Sequence, residues 1–504
     1  MRLDRSQGNE LKGDSAKFLL IVLGLVLGAV AVSSQSYWID EASTVDKSIR
    51  PTVVEWWERL RAEATSNMQL PLYLLYAWGW DKLFGRGEWA MRAANIPWFV
   101  LGLVAIGSLF TGPAWRRVVA CSGFLLSGFA WFYLNEARPY TMQLGASCVV
   151  FVALLRLSDG DGLPATQARK WVWMLAVGAV VLSASGALAM LWLGGGLLAA
   201  VLASPWLRTR RLLVDHWPIW ATTGGLLLAV GAYYLWTLTL GARPTVLART
   251  DLKSVLFTVY EMLGFLGLGP SRLAIRSGGL EVFKPYLAGL LAYGLLVAGV
   301  LGLGWRRLGL LCSRKRLCWV AICCGGVAAL LVVVGMTSRF RLLGRHCMPM
   351  MPVLLYVLGL GLGAAWEERG KAWRVVAMGF LGLSFISCVL LRFDPRHAKD
   401  DYRGAAALAR AAVQKGERVW WNADEEAAVF YGVPLAKAPA GRGQVVWIGP
   451  GWEGLEADGE LPDLVLASKP DVYDGNGRVV AWLARSGFRP AGTLVAFTIW
   501  RRKE

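Results

Sequence analysis

The stretch "FLLIVLGLVLGAVAVSSQSYWIDEAST", residues 18–44, decides how this chain is read. Its first half is an apolar run of a length that crosses a bilayer, about 17 to 25 residues. Its second half leads to two adjacent carboxylates, Asp40 and Glu41. Acids side by side at a membrane surface repel each other and gain nothing from packing, so a function is expected of them. The charged start, the apolar run and the small residues "AVSS" also fit a signal peptide. A retained anchor is the preferred reading, because cleavage would leave Asp40 on a loose new terminus.

Outward from this stretch the composition is that of a membrane protein. Of 504 residues, 56% are hydrophobic and only 17% charged, with a mean hydropathy of +0.45. Soluble chains carry about 25% charged residues. The net charge of +18 does not signal nucleic acid. Residues 393–504 hold 15 basic and 15 acidic residues, so the excess lies in the apolar part. There it sits in short loops, as the positive-inside rule requires, and no basic stripe with interleaved aromatics is present. The eight cysteines show no CxxC and no His/Cys ligand spacing, so they define no disulfide framework.

Eleven apolar runs are long enough to cross, near 18–35, 93–111, 118–135, 140–157, 171–187, 188–205, 217–238, 285–304, 317–336, 348–365 and 373–391. The expected fold class is a polytopic α-helical membrane protein of about 11 transmembrane helices. Lysine and arginine far outnumber acids in "MRLDRSQGNELKGDSAK", "PAWRR", "RTRR" and the other alternate loops. That puts the N-terminus in the cytoplasm and residues 36–92, 239–284 and 393–504 outside. Within 36–92, "IRPTVVEWWERLRAEA" reads as an amphipathic helix at the interface. Residues 1–392 form the transmembrane domain. Residues 393–504 form a soluble extracytoplasmic α/β domain with helices at "DDYRGAAALARAAVQ", "EEAAVFYG" and "RVVAWLARSG", and strands at "RVWWN", "QVVWIG", "DLVLAS" and "GTLVAFTIWRR". That alternation predicts a partly parallel sheet.

Four stretches bring polar residues to the outer face: Asp40 with Glu41, "SNMQLPLYLLYAW" (66–78), "YLNEARPYTMQL" (133–144) and "SRFRLLGRHCMPMMP" (338–352). An arginine there is a two-pronged partner for a lipid phosphate, and Arg138, Arg339, Arg341 and Arg345 are candidates. A carboxylate beside them serves as general base on an incoming hydroxyl or amine. Plainer readings stand next to these. Asp40 or Glu41 caps a helix, Glu136 and Arg138 form a turn ion pair, and Arg345 anchors at the interface. "DDYR" (400–403) starts a helix, and His346 has no partner histidine.

With these motifs the sequence resembles the bacterial GT-C membrane glycosyltransferases of the protein O-mannosyltransferase type, which are glycosyltransferase family 39-like and include the aminoarabinose transferase acting on lipid A. The acidic pair after the first span matches at Asp40 and Glu41. In "NMQLPLYLLYAWGWDKLFGRGEWAMR", Pro71, Leu72, Tyr73, the LFG, Glu88 and Arg92 match, while Asn67 and Gln69 replace the family Asp and His. "ARPY" (137–140), "RHCMPMMP" with His346 for the family tyrosine, and "DDYRGAA" complete the series. The resemblance implies a polyprenyl-phosphate sugar donor, transferred to a lipid, glycan or protein by a single inverting displacement at the outer face of the bacterial inner membrane. It implies Asp40 as general base, with Glu41 and Glu136 in the catalytic group. Arg138, Tyr140, Arg345 and Arg341 would hold the donor lipid phosphate. Asn67, Gln69 and Tyr73 would line the acceptor loop. No cofactor is certain. The replacements at Asn67 and Gln69 remove a carboxylate and a possible metal ligand, so the sequence gives a divalent metal no support. Two alternatives stay open: a transporter or flippase for a lipid-linked sugar, and a non-catalytic membrane scaffold. The first would normally carry mid-bilayer polar residues and inverted repeats, and the sequence shows neither.

Overall fold

The computed structural model describes residues 4–63, 65–159, 164–240, 249–338, 340–367, 370–436, 442–449 and 461–502. The first apolar run becomes α1 (Asp4–Ala31), and an extended link carries the chain to α2 (Ile39–Ser48), which holds the acidic pair. The expected amphipathic helix is α3 (Val53–Glu63). Its Trp56 and Leu60 pack into the protein against Met68 and Leu74, while Val53 and Val54 stay exposed. A turn at Ser66–Gln69 leads to α4 (Pro71–Phe84), with Pro71 in the first turn, where its missing N–H leaves no bond unmade.

The remaining apolar runs all fold as helices. In chain order these are α5 (Glu88–Ala93), α6 (Ile96–Gly107), α7 (Ala114–Leu125), α8 (Gly128–Leu134), α9 (Tyr140–Asp159), α10 (Ala165–Ala184) and α11 (Ala187–Ala203). After the short α12 (Trp206–Asp215) come α13 (Trp217–Thr239), α14 (Leu252–Met262), α15 (Arg272–Gly278), α16 (Leu287–Leu311), α17 (Arg314–Thr337), α18 (Met351–Glu367) and α19 (Lys371–Phe393). Among the described residues, seven helical segments are long and apolar enough to cross a membrane, or eight if α7 and α8, bent by 64°, make one span. That is fewer than eleven. The other three expected spans fall outside that count: α1 is apolar over Ser15–Ala31, α11 has only 17 residues, and α10, with 20 residues, falls short in hydropathy.

The C-terminal part holds α20 (Tyr402–Gln414), β1 (Val419–Asn422), α21 (Glu425–Phe430), β2 (Leu435–Ala436), β3 (Val445–Trp447), β4 (Leu464–Ser468), α22 (Pro470–Tyr473), α23 (Arg478–Arg485), β5 (Phe488–Leu494) and β6 (Phe497–Arg502). The sheet runs β2-β3-β1-β4-β6-β5, parallel from β2 to β4 and antiparallel through β6 and β5. The single strand expected over 492–502 is in fact a hairpin. The chain reverses between Leu494 and Phe497, with Ala496 at φ 65, a conformation its sequence does not advertise. One face of the sheet, with Trp420, Val446 and Val465, is covered by Trp482 and Leu483 of α23. The other, with Leu464, Leu466 and Trp421, shares a single apolar core with Tyr402 and Ala405 of α20 and with Tyr37, Ala42, Val45 and Tyr73. The C-terminal part is therefore packed onto α2.

Candidate functional site

α2 begins after Trp38, and Glu41 takes the cap, its carboxylate facing the Trp38 backbone N–H at 3.5 Å. Asp40 makes no cap bond, so that plainer reading fails for it and holds in part for Glu41. The Glu41 side chain is fully buried. It takes a two-pronged bond from Arg92 (2.8 and 2.7 Å), a bond from the Lys399 ammonium at 2.8 Å, and one from the backbone N–H of Ala137 at 2.8 Å. Burial pushes its carboxyl up, but Arg92 and Lys399 more than offset this and hold it at about 2. Arg92, also fully buried, spends its other donors on the carbonyls of Ser33, Gln35 and Ser36. Glu41 thus fastens together the link after α1, helix α5, the loop after α8 and the start of the C-terminal part.

Asp40 points elsewhere. Its side chain is 30% exposed and accepts one bond, from Arg345 at 2.7 Å. Arg138 donates to the backbone carbonyl of Asp40 (3.2 Å), to Thr44 Oγ1 (2.6 Å) and to Asn67 Oδ1 (3.0 Å). Among the described residues the Nε of Arg138 is buried with no partner. Both guanidiniums lie 5.8 Å from the ring of Tyr140. Burial raises the Asp40 carboxyl. The charges of Arg345, Arg138 and Lys469 outweigh it, so the group sits below its ordinary value and is a carboxylate at neutral pH.

Arg345 is set by the turn Gly344–Met350. The N–H of Gly344 donates to Glu261 at 3.0 Å, and Trp192 donates to the carbonyl of His346 at 2.8 Å. A Cβ on Gly344 would lie 2.5 Å from Glu261 Oε2 and 2.8 Å from the Phe129 ring, so a larger residue here would have to push those side chains aside. Glu136 is buried in the loop that Glu41 braces, and among the described residues its Oε2 has no hydrogen-bond partner. Burial, opposed by Lys399 and Arg272, lifts it to about 7. The turn ion pair considered for Glu136 and Arg138 does not form among the described residues: Arg138 turns instead to Asn67 and Thr44.

The structure therefore brings Asp40, Arg138, Tyr140, Arg345 and Asn67 together, and sets Glu41 and Glu136 behind them. Asn67 also donates to Ser43 at 2.8 Å, so it serves α2 as well as Arg138. Tyr73 is buried in the core under α2 rather than lining an open loop, and Gln69 closes the turn before α4. Arg341 stands apart, exposed and beside Asp251, the N-cap of α14. Arg339 lies outside the described residues. The start of "DDYR" is a helix cap, Asp401 accepting from the N–H of Gly404 at 2.8 Å. Among the described residues no group of three or more His, Cys, Asp and Glu side chains is arranged to hold a metal ion. Reading the sequence missed Lys399 and Lys469. A lysine distant in sequence gives no local sign of the acid it meets.

No family model and no curated protein matches this chain. Among solved structures, the crystal structure of ArnT from Cupriavidus metallidurans in the apo state is similar at TM-score 0.50 and 14% identity, over 96% of this chain and 97% of that one. ArnT from the same organism bound to undecaprenyl phosphate gives 0.47 and 14%, over 96% and 97%. Arabinofuranosyltransferase AftD from Mycobacteria gives 0.43 and 15%, over 97% of this chain and 41% of that one. The first likeness extends end to end and establishes a shared fold.

Proposed function

We propose that this chain is a membrane glycosyltransferase that moves a sugar from a polyprenyl-phosphate donor to an acceptor at the outer face of the bacterial inner membrane. The observation that carries the reading is the Asp40 carboxylate, accessible and ionised, with Arg345 bonded to it and Arg138 against its backbone carbonyl. Asp40 takes the proton of the acceptor nucleophile. The nucleophile's oxygen or nitrogen bonds to the anomeric carbon as the bond to the phosphate oxygen breaks, inverting the centre. The pair of electrons leaves on the phosphate, where Arg138 and Arg345 receive the charge. Residues 1–392 act as the catalytic membrane domain and residues 393–504 as an extracytoplasmic cover. The fold shared with ArnT, and the sequence resemblance to the GT-C transferases, agree with this chemistry.

The experiment is label transfer out of the polyprenyl-phosphate sugar pool of native membranes. Asp40→Asn is nearly isosteric and lacks the basicity, so transfer is expected to fall by about 100- to 10,000-fold at equal expression. Undiminished transfer would favour the flippase or scaffold. Sidedness has its own check: alkaline phosphatase fused after Glu504 is expected to be active, and an inactive fusion would remove the site from the outer face.

A further inference from the structure

The apolar stretch "LKSVLFTVYEMLGFLGL", residues 252–268, carries one acid, Glu261. It lies in the last turn of α14, and its side chain is fully buried. A carboxylate taken out of water is costly unless it is paired and hydrogen-bonded. Both conditions are met here, one at each oxygen. Arg272, the first residue of α15, donates to Oε1, and the backbone N–H of Gly344 donates to Oε2 at 3.0 Å. At the other end of α14, Thr250 accepts from the N–H of Leu342 at 2.9 Å and donates to the carbonyl of Phe340 at 2.7 Å. Segment 340–344 is thus pinned along α14 at both ends. The next residue is Arg345, whose guanidinium bonds Asp40 at 2.7 Å. Arg272 also donates to the hydroxyl of Tyr133 at 2.8 Å. The Tyr133 ring meets Tyr140 edge-on at 5.0 Å, and the Arg345 guanidinium lies 5.8 Å from that Tyr140 ring.

We propose that Glu261 is a positioning residue for Arg345: its carboxylate holds the Gly344 N–H, and so sets where the Arg345 fork stands against Asp40. This rests on the reading of Arg345 as a receiver of the charge on the leaving phosphate. Stability alone does not call for an acid here, because a packed apolar side chain often replaces a buried ion pair at no cost. An apolar residue at 261 would leave the Gly344 N–H without an acceptor and the backbone before Arg345 without a fixed place. A carboxylate suits the task because each of its two oxygens takes one donor, and a bond to an ionised acceptor is stronger than a neutral one. An amide has one oxygen and one NH2 group, so either Arg272 or Gly344 would then face a donor. Placement of this kind matters to rate, since a reacting or charge-bearing group displaced by about 1 Å can cost about 100-fold.

The test is a double-mutant cycle on label transfer, in native membranes carrying the full chain at equal expression. Glu261→Gln is expected to lower transfer by about 10-fold, inside the range for residues coupled through contact. Glu281→Gln, at an exposed position of the same outer segment, is expected to leave it unchanged. In the Arg345→Ala background, Glu261→Gln is expected to change transfer by less than about twofold, because the side chain it places is gone. A merely structural acid would lower transfer by the same factor in both backgrounds, and that result overturns the proposal, as does native transfer in Glu261→Gln. If Glu261→Gln fails to accumulate, Glu261→Asp decides. It keeps the charge against Arg272 but is one methylene too short to serve both partners, so the same fall and the same loss of effect beside Arg345→Ala are expected, and native transfer overturns the proposal. Arg345→Ala alone keeps the two readings apart. If it transfers at the native rate, the phosphate reading of Arg345 falls and this one with it. If it is impaired while the Glu261 variants are native or additive, only the positioning role falls.

Discussion

Asp40 and Glu41 leave the first turn of α2 about 100° apart, and that angle sends two like acids into unlike surroundings. Glu41 goes inward, where Arg92, Lys399 and a backbone N–H saturate it and no solvent reaches it. Asp40 goes outward, where one bond from Arg345 leaves lone pairs open and 30% of the side chain accessible. A saturated carboxylate can fix structure but cannot accept a proton from a substrate; a singly bonded, accessible one can. On the proposed reading the pair is one structural acid and one chemical acid, and the structural acid holds the loop that carries Arg138.

The contrast breaks most visibly in stability. Glu41→Gln leaves Arg92 buried without its counter-charge, and removing one partner of a buried pair costs about 3–5 kcal/mol. Asp40→Asn, partly exposed, is expected to unfold at the native temperature while losing transfer. Thermal unfolding of both proteins in detergent decides, and an equal loss in the two would erase the distinction. Arg345→Ala and Arg138→Ala come next. Each removes charge-assisted bonds worth about 1.5–3 kcal/mol, so donor turnover is expected to fall by about 10- to 150-fold, with lysine restoring only part because it lacks the planar fork. Native turnover in both alanine variants would reduce the arginines to anchors.

The smallest effect is expected at Glu136. Its folded carboxyl titrates at about 7, above the ordinary glutamate value, so the folded state keeps its proton to higher pH than the unfolded chain does. Native protein therefore loses stability as pH rises from about 4.3 toward 7, and Glu136→Gln, fixed in the neutral form, does not. Below pH 7 the variant is expected to transfer within about threefold of native, well short of the loss of a general base. Denaturant unfolding at pH 5 and pH 8 checks the sign.

Much of this was legible before the structure. Every apolar run of spanning length folded as helix, and the motif residues Asp40, Arg138, Tyr140 and Arg345 met although 305 positions separate Arg345 from Asp40. The full burial of Glu41 onto Arg92 and Lys399 was not legible, because it depends on the phase of a helix whose start is set by Trp38, an atypical cap. Lys399 and Lys469 were invisible for another reason. Their partners are chosen by the docking of the C-terminal sheet on α2, and nothing around "AKDD" or "ASKP" records that contact. The hairpin of β5 and β6 was missed because Val495 and Ala496 carry none of the glycine or asparagine signals of a tight reversal.

The core that α2 shares with the C-terminal sheet also orders events during synthesis. Tyr37, Ala42 and Val45 emerge early, yet the residues that cover them, Tyr402, Trp421 and Leu466, are made more than 350 positions later. Until then α2 has no apolar neighbour on that side, Lys47 has no Glu426, and Glu41 has no Lys399. A nascent chain can insert its helices and still lack a finished site. A chain without the C-terminal sheet leaves the apolar side chains of Tyr37, Ala42 and Val45 uncovered on that side. On the proposed reading, a finished site waits until the C-terminal sheet is seated on α2.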